Sequence, residues 1–375
     1  MAANDYRVSR QWATRPADER FVNLEVMANY AKRRKAESSE RVIPTKSLRF
    51  EANGEDIVVY NRHEKSGTKF IAGTRQGMSN WSFDQLCERV KCPGSYITRL
   101  PAKLAALNLN EGVEQAKPSK VQLLTQETAT EYVLRAATSE GYGRIWDADV
   151  LDFMVEEYGD GVTGCYRIPG EFGKQKPATM ENTTLYMGDR NMFIFLCDEE
   201  NRVELADRRN GGEGSLARGF YLWNSEVGKE TIGVATFYFD YVCCNRIIWG
   251  QEEKQEIRMR HSKFAPERFA EEILPGLTKF TEGSTVGITS AIDNARKVKF
   301  QAPDEVAVFL GKSLGFPKKT VGQISMVHFL EEERPIENMW DATVAMTAFA
   351  RSVPYQDERV AIEIKAGEVL RRFAA

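Results

Sequence analysis

The segment Thr231 to Cys243 alternates, so Phe237, Phe239 and Tyr241 fall on one face of a strand. On a sheet that faces solvent, three rings in a row stack nucleic-acid bases; on a sheet that faces helices, they are core. Basic residues follow: Arg246, then Lys254, Arg258, Arg260, His261 and Lys263. Two further basic groups stand elsewhere, Lys32-Arg33-Arg34-Lys35 and Arg208-Arg209. Along one groove these cations would meet the phosphates of a strand. Scattered, they are solvated charge, and the run at 32–35 also suits a helix end.

Other chemistries lack their residues. Gly311-Lys312-Ser313 resembles the end of a phosphate loop, but Val306 stands where the first glycine is needed. Gly141-Tyr142-Gly143 is followed by Trp146 instead of the third glycine of a dinucleotide fingerprint. Cys243 and Cys244 are adjacent and point to opposite faces of a strand. There is no Cys-x-x-Cys or His-x-x-x-His pair, and His63, His261 and His328 stand alone, so no metal is expected. Asn224-Ser225-Glu226-Val227-Gly228 sets a serine beside a glutamate without the glycine-flanked elbow of hydrolases, and reads as a turn. No catalytic residue and no cofactor is assigned.

The elements that must position these residues follow from pattern. Asn53-Gly54 between Leu48–Glu51 and Asp56–Tyr60 predicts a hairpin, with a third strand at Lys69–Ala72. Ser82 with Gln85 reads as a capping box for a helix that ends at Pro93-Gly94. A short helix, Ser95–Leu100, follows; the pair reads as a helical corner or as a helix-turn-helix presenting Arg99 and Lys103. Strands are expected at Val121–Thr125, Tyr132–Thr138, Asn191–Cys197, Ala217–Asn224 and Thr231–Cys243, and a helix at Asp147–Tyr158. Asp207–Gly214 reads as a flexible loop. Six helices are expected after residue 262, at 266–280, 284–297, 303–314, 318–333, 337–351 and 357–373.

The composition bounds the rest. The chain has 375 residues, 51 Lys+Arg against 54 Asp+Glu, and a net charge of −3. That average hides a basic leader, with nine Lys/Arg against six Asp/Glu in residues 1–45, and a basic stretch at 254–263. The six cysteines are scattered, there is no apolar signal core, and no run is long enough to span a membrane, so a cytoplasmic protein with free thiols is expected.

Several landmarks occur together: Arg15-Pro16-Ala17-Asp18-Glu19-Arg20-Phe21; Asn224, Ser225, Glu226 and Gly228; Cys243, Asn245 and Arg246 within Val242–Gly250; Trp340–Arg351; Glu363; and Ala366-Gly367. This set resembles the phage- and plasmid-associated proteins that carry domain of unknown function 932, from about residue 10 to residue 373. The resemblance implies a mobile genetic element and a bacterial cytoplasm, and brings no reaction or ligand with it. The single cysteine usual before the asparagine is here doubled.

The expected architecture is α+β. A polar, partly helical leader (1–45) precedes an antiparallel β-rich core with inserted helices (46–261). A helical C-terminal region (262–375) packs on that core. The expected function is non-enzymatic binding or annealing of single-stranded DNA, as in recombination, with a homo-oligomer allowed. The alternatives are a protein-interaction factor that inhibits a host defence enzyme, and an enzyme whose site is not visible in sequence.

Overall fold

The computed structural model describes residues 11, 15–62, 76–169, 178–208, 212–241, 245–249, 256–281 and 286–374. The N-terminal part runs β1 (Glu19–Phe21), α1 (Leu24–Ala36), β2 (Ser38–Pro44), β3 (Leu48–Asn53), β4 (Asp56–Asn61) and β5 (Gly77–Met78). Helices α2 (Asn80–Arg89), α3 (Gly94–Ile97) and α4 (Ala102–Gln115) follow, then β6 (Lys120–Glu127), β7 (Tyr132–Ser139) and α5 (Asp147–Tyr158). The central strands are β8 (Tyr166–Arg167), β9 (Leu185–Met187), β10 (Met192–Arg208), β11 (Gly212–Asn224), β12 (Ile232–Asp240), β13 (Asn245–Ile248) and β14 (Glu256–Met259). The last third is helical: α6 (Ala265–Thr281), α7 (Val286–Lys297), α8 (Pro303–Val308), α9 (Lys318–Glu332), α10 (Met339–Ala350) and α11 (Gln356–Arg371). The fold is α+β.

The strands form a main sheet ordered β1-β9-β10-β11-β12-β13, with β8 on β10 and β14 on β12, a smaller sheet ordered β2-β6-β7-β5, and the β3–β4 hairpin. All pairings within the main sheet are antiparallel. The leader is not separate from this body: Glu19–Phe21 pairs with Leu185–Met187 at the sheet edge.

The main sheet is buried on both faces, and every residue of β12 is buried. On one face Ile194, Leu222 and Val234 pack with Leu24 and Met27 of α1, Leu151 and Met154 of α5, and Phe269 and Ile273 of α6. On the other, Phe195, Tyr221, Phe237 and Phe239 pack under Val360 and Ile364 of α11; Tyr238 and its partner Ile247 alternate to the first face, where they join Ile292 and Trp340. Burial on two faces removes the polar alternation that a solvated sheet would show. A second core lies between the smaller sheet, the hairpin and α2–α4, around Phe50, Val59, Leu86, Leu109 and Leu123.

Several local expectations change. The cap of α2 is Ser79, whose Oγ accepts from the Ser82 amide; Ser82 lies in the first turn, its hydroxyl donating to Leu134 O at 2.7 Å. The helix-turn-helix reading fails, because α3 has four residues and buries Ile97. Helix α4 stands where no element is expected. Residues 207–208 and 212–214 belong to β10 and β11 rather than to a loop. The helix at 303–314 ends in a π turn over Phe309–Ser313. The strand at Lys69–Ala72, His63, Lys254, Cys243 and Cys244 lie outside the described residues.

Candidate nucleic-acid interface

The expected stacking platform is core. Phe237, Phe239 and Tyr241 are all buried, the first two beneath α11, so none offers a face to a base. Arg246 meets no phosphate either. It is fully buried, with Nε donating to Glu363 at 2.9 Å, Nη2 donating to Gln356 at 2.9 Å, and its guanidinium 4.0 Å from the Phe195 ring centroid. Glu363 also accepts from Arg359, so β13 is fastened to α11 through a paired, buried charge.

The leader cations are largely paired with carboxylates, Lys32 and Lys35 at the surface and Arg34 inside. Lys32 pairs with Asp152 and Lys35 with Asp149, both on α5. Arg34 reaches Glu226 at 3.5 Å. Arg33 is exposed, near the Tyr30 ring. Arg208 ends β10 at the far tip of the β10–β11 hairpin, and Arg209 lies outside the described residues. Of the basic groups singled out in sequence, Arg258, Arg260 and Lys263 remain together and exposed.

The landmark turn after β11 is a buried polar junction. Glu226 Oε2 accepts from Arg135 of β7 at 2.7 Å, and Oε1 accepts from the Asp147 amide at the start of α5 at 3.0 Å. Helix α5 has no side-chain cap of its own, so this carboxylate occupies its N-terminus from across the fold. Asn224 Nδ2 donates to Asp147 Oδ1 at 2.7 Å and to Ile145 O at 2.9 Å. Ser225 Oγ donates to Arg190 O at 2.7 Å and accepts from the Lys229 amide at 2.9 Å, which makes it a turn-forming hydroxyl. Desolvation pushes the Asp147 carboxyl well above its usual range, and the neighbouring Glu226 adds to this. Desolvation acts the same way on Glu226, but Arg135 and Arg34 outweigh it and hold that carboxyl low. Asn245 is buried opposite Asp240 at the start of β13.

Around the exposed part of this turn gather residues of which the sequence pattern singled out Arg258 alone. Lys229 and Arg190 both lie over the Trp81 ring, at 5.2 and 5.3 Å from its centroid. On the other side, the Arg258 guanidinium lies 5.4 Å from the Trp223 centroid. Glu230 stands between, within the field of both Lys229 and Arg258. Gly228 approaches Tyr142, whose ring stacks on His261 at 5.0 Å, so the turn and the 258–263 segment share one region of surface. The available signal was positional: Trp223 directly precedes Asn224, and Lys229 directly follows Gly228.

Beside this turn opens a cavity of about 270 Å³ lined by Phe193, Tyr221, Trp223, Glu230, Arg258 and the start of α11. Among the described residues, no group of three His, Cys, Asp or Glu side chains could hold a metal ion, and no helix is long and apolar enough to cross a membrane. No family model, no curated protein and no solved structure matches this chain.

Proposed function

We propose that this chain is a single-stranded nucleic-acid-binding protein of a phage or plasmid, acting without a catalytic centre. The mobile-element setting comes from the sequence resemblance alone. The observation that carries the reading is the grouping of Arg190 and Lys229 over the half-buried Trp81 ring, with Arg258, Arg260 and Lys263 exposed just beyond. Cations for phosphates beside an aromatic ring are what a sequence-tolerant strand groove requires.

The test is affinity for a labelled single strand across a salt series. Log K should fall with log salt by about 0.7 for each phosphate neutralised on a single strand. Arg258→Ala combined with Arg260→Ala should flatten that slope by roughly 1.4, two contacts' worth. An unchanged slope removes this site, and no binding at low salt removes the reading.

A second reading has its own observation. Met326, Phe329 and Leu330 are exposed on α9. Phe329 borders a mainly apolar cleft of about 400 Å³ with Phe300, Val306 and Ile336. An exposed apolar patch of this kind marks protein interaction sites, so if the strand test fails, a protein-interaction factor is the reading that remains.

A further inference from the structure

We infer that the exposed face of α9 is a self-association surface, on which a second copy of this chain lays its own α9 antiparallel. The inference is independent of strand binding, and it gives the α9 patch a second copy rather than a foreign protein.

Helix α9 is apolar on two sides. Val321, Ile324 and His328 face inward and are buried. On the outer side Met326 is 66%, Phe329 56% and Leu330 71% exposed. A helix that is apolar all round is ordinarily covered all round. The cleft beside Phe329, lined by Phe300, Val306 and Ile336, extends the apolar area. Gly322 lies on the same outer side, one turn before Met326. Glycine weakens a helix interior. At Gly112 and Gly367 a Cβ would strike the backbone of a packed element of this chain, whereas at Gly322 it would meet nothing within 4 Å. No described residue requires this glycine, but a second helix laid close on the face makes use of it.

The two ends of the face carry opposite charge. Lys319 is exposed in the first turn, and Glu333 is exposed where it closes the last. This order opposes the helix dipole, which favours carboxylates at the N-terminus and cations at the C-terminus. It suits an antiparallel neighbour. The adjacent Glu331 and Arg334 are engaged within the chain, by Arg351 and Asp341.

The register follows from the spacing. A two-fold axis level with Met326 sets Lys319 of each copy level with Glu333 of the other, because both stand seven residues from Met326. It likewise sets Leu330 level with Gly322, both four residues away, so the leucine enters the space that the glycine leaves. Four residues make little more than one turn and seven nearly two, which keeps these five positions on one face. The contact is isologous, so both ends are matched at once. One helix of 15 residues is about 22 Å long, which places the contact at the small end of specific interfaces and predicts a weak dimer.

Sedimentation velocity of the full chain without nucleic acid, from about 1 to 200 μM, should show monomer passing to dimer. Leu330→Glu should weaken association at least about tenfold, because it sets a charge in the centre of the contact. Leu107→Glu, on the exposed surface of α4, should leave association unchanged. Lys319→Glu and Glu333→Lys each set like charges level at both ends of the dimer and should weaken it about tenfold. Both substitutions agree with the helix dipole, so α9 should stay folded, and thermal melting checks this. Mixed in equal amounts, the two charge variants should associate as wild type does, because opposite charges again meet at each end. A monomer at every concentration overturns the inference and returns the patch to a foreign protein. A dimer indifferent to Leu330→Glu, or a mixture that associates no better than either charge variant alone, overturns it too, since the copies then meet elsewhere or in another orientation.

Discussion

At the scale of residues, His261 shows how burial decides what a titratable group does. Its ring stacks on Tyr142, Nδ1 donates to Gly143 O at 3.2 Å, and Nε2 faces no partner. A second proton would sit on Nε2, buried and without an acceptor. Burial accordingly lowers its pKa to about 4, with nearby Arg144 acting in the same direction. The unfolded chain takes up that proton first as the pH falls. The stability owed to neutral His261 is therefore complete above pH ~6.5 and is lost down to pH ~4, roughly 2–3 kcal/mol over that window. Urea denaturation of wild type and His261→Phe at several pH values isolates this contribution. The difference between the two proteins should shrink as the pH falls from 6.5 to 4, and a constant difference would show that the imidazole is not the titrating group. The sequence identifies His261 as isolated, but the stacking, the carbonyl and the missing acceptor come from chain segments more than a hundred residues apart.

At the scale of elements, Gly367 explains a landmark that has no chemistry of its own. It lies within α11, where Gly→Ala ordinarily stabilises a helix by about 1 kcal/mol. Here a Cβ would stand 1.7 Å from Ile248 O, because α11 rests on the backbone of β13. Gly367→Ala should therefore destabilise the protein by about 1–3 kcal/mol, as overpacking does, against the intrinsic helix preference. Chemical denaturation gives the sign directly, and a stabilised variant would mean that α11 does not sit this close. The same close packing limits how much of the fold is legible in sequence. Helices α5, α9 and α10 end near their expected positions because their apolar spacing and their Pro and Gly stops are local. Helix α4 is hidden by Asn110 and Gly112, weak helix formers kept for distant reasons. Asn110 bridges the Phe50 amide and carbonyl, and a Cβ at Gly112 would meet Val90 O at 2.6 Å. The aromatic strand β12 is legible as a strand, but which face is covered depends on α11, more than a hundred residues away in sequence.

At the scale of the whole molecule, two cores are joined, and Glu226 is the point of attachment. It sits on the turn of the main sheet and touches Arg135 of the smaller sheet, Arg34 of the leader helix and the N-terminus of α5. Trp81 Nε1 and Gln85 Nε2 of α2 both donate to Val227 O beside it, at 2.9 and 2.8 Å. Motif residues with no evident reaction thus acquire a structural reason. A carboxylate there neutralises two buried guanidinium groups that the two halves bring to one place. Removing one partner of a buried ion pair costs about 3–5 kcal/mol, because the other charge is left uncompensated. Glu226→Gln keeps the shape and removes the charge, so the loss should fall on the joint rather than on either core. Hydrogen exchange in moderate urea reads this out. Amides of β6 and β7 should lose protection at lower urea than those of β10–β12 in the variant, whereas in wild type the two sets open together. If protection falls uniformly across both sheets, the charge stabilises the molecule as one unit and the two cores are not separable at this turn.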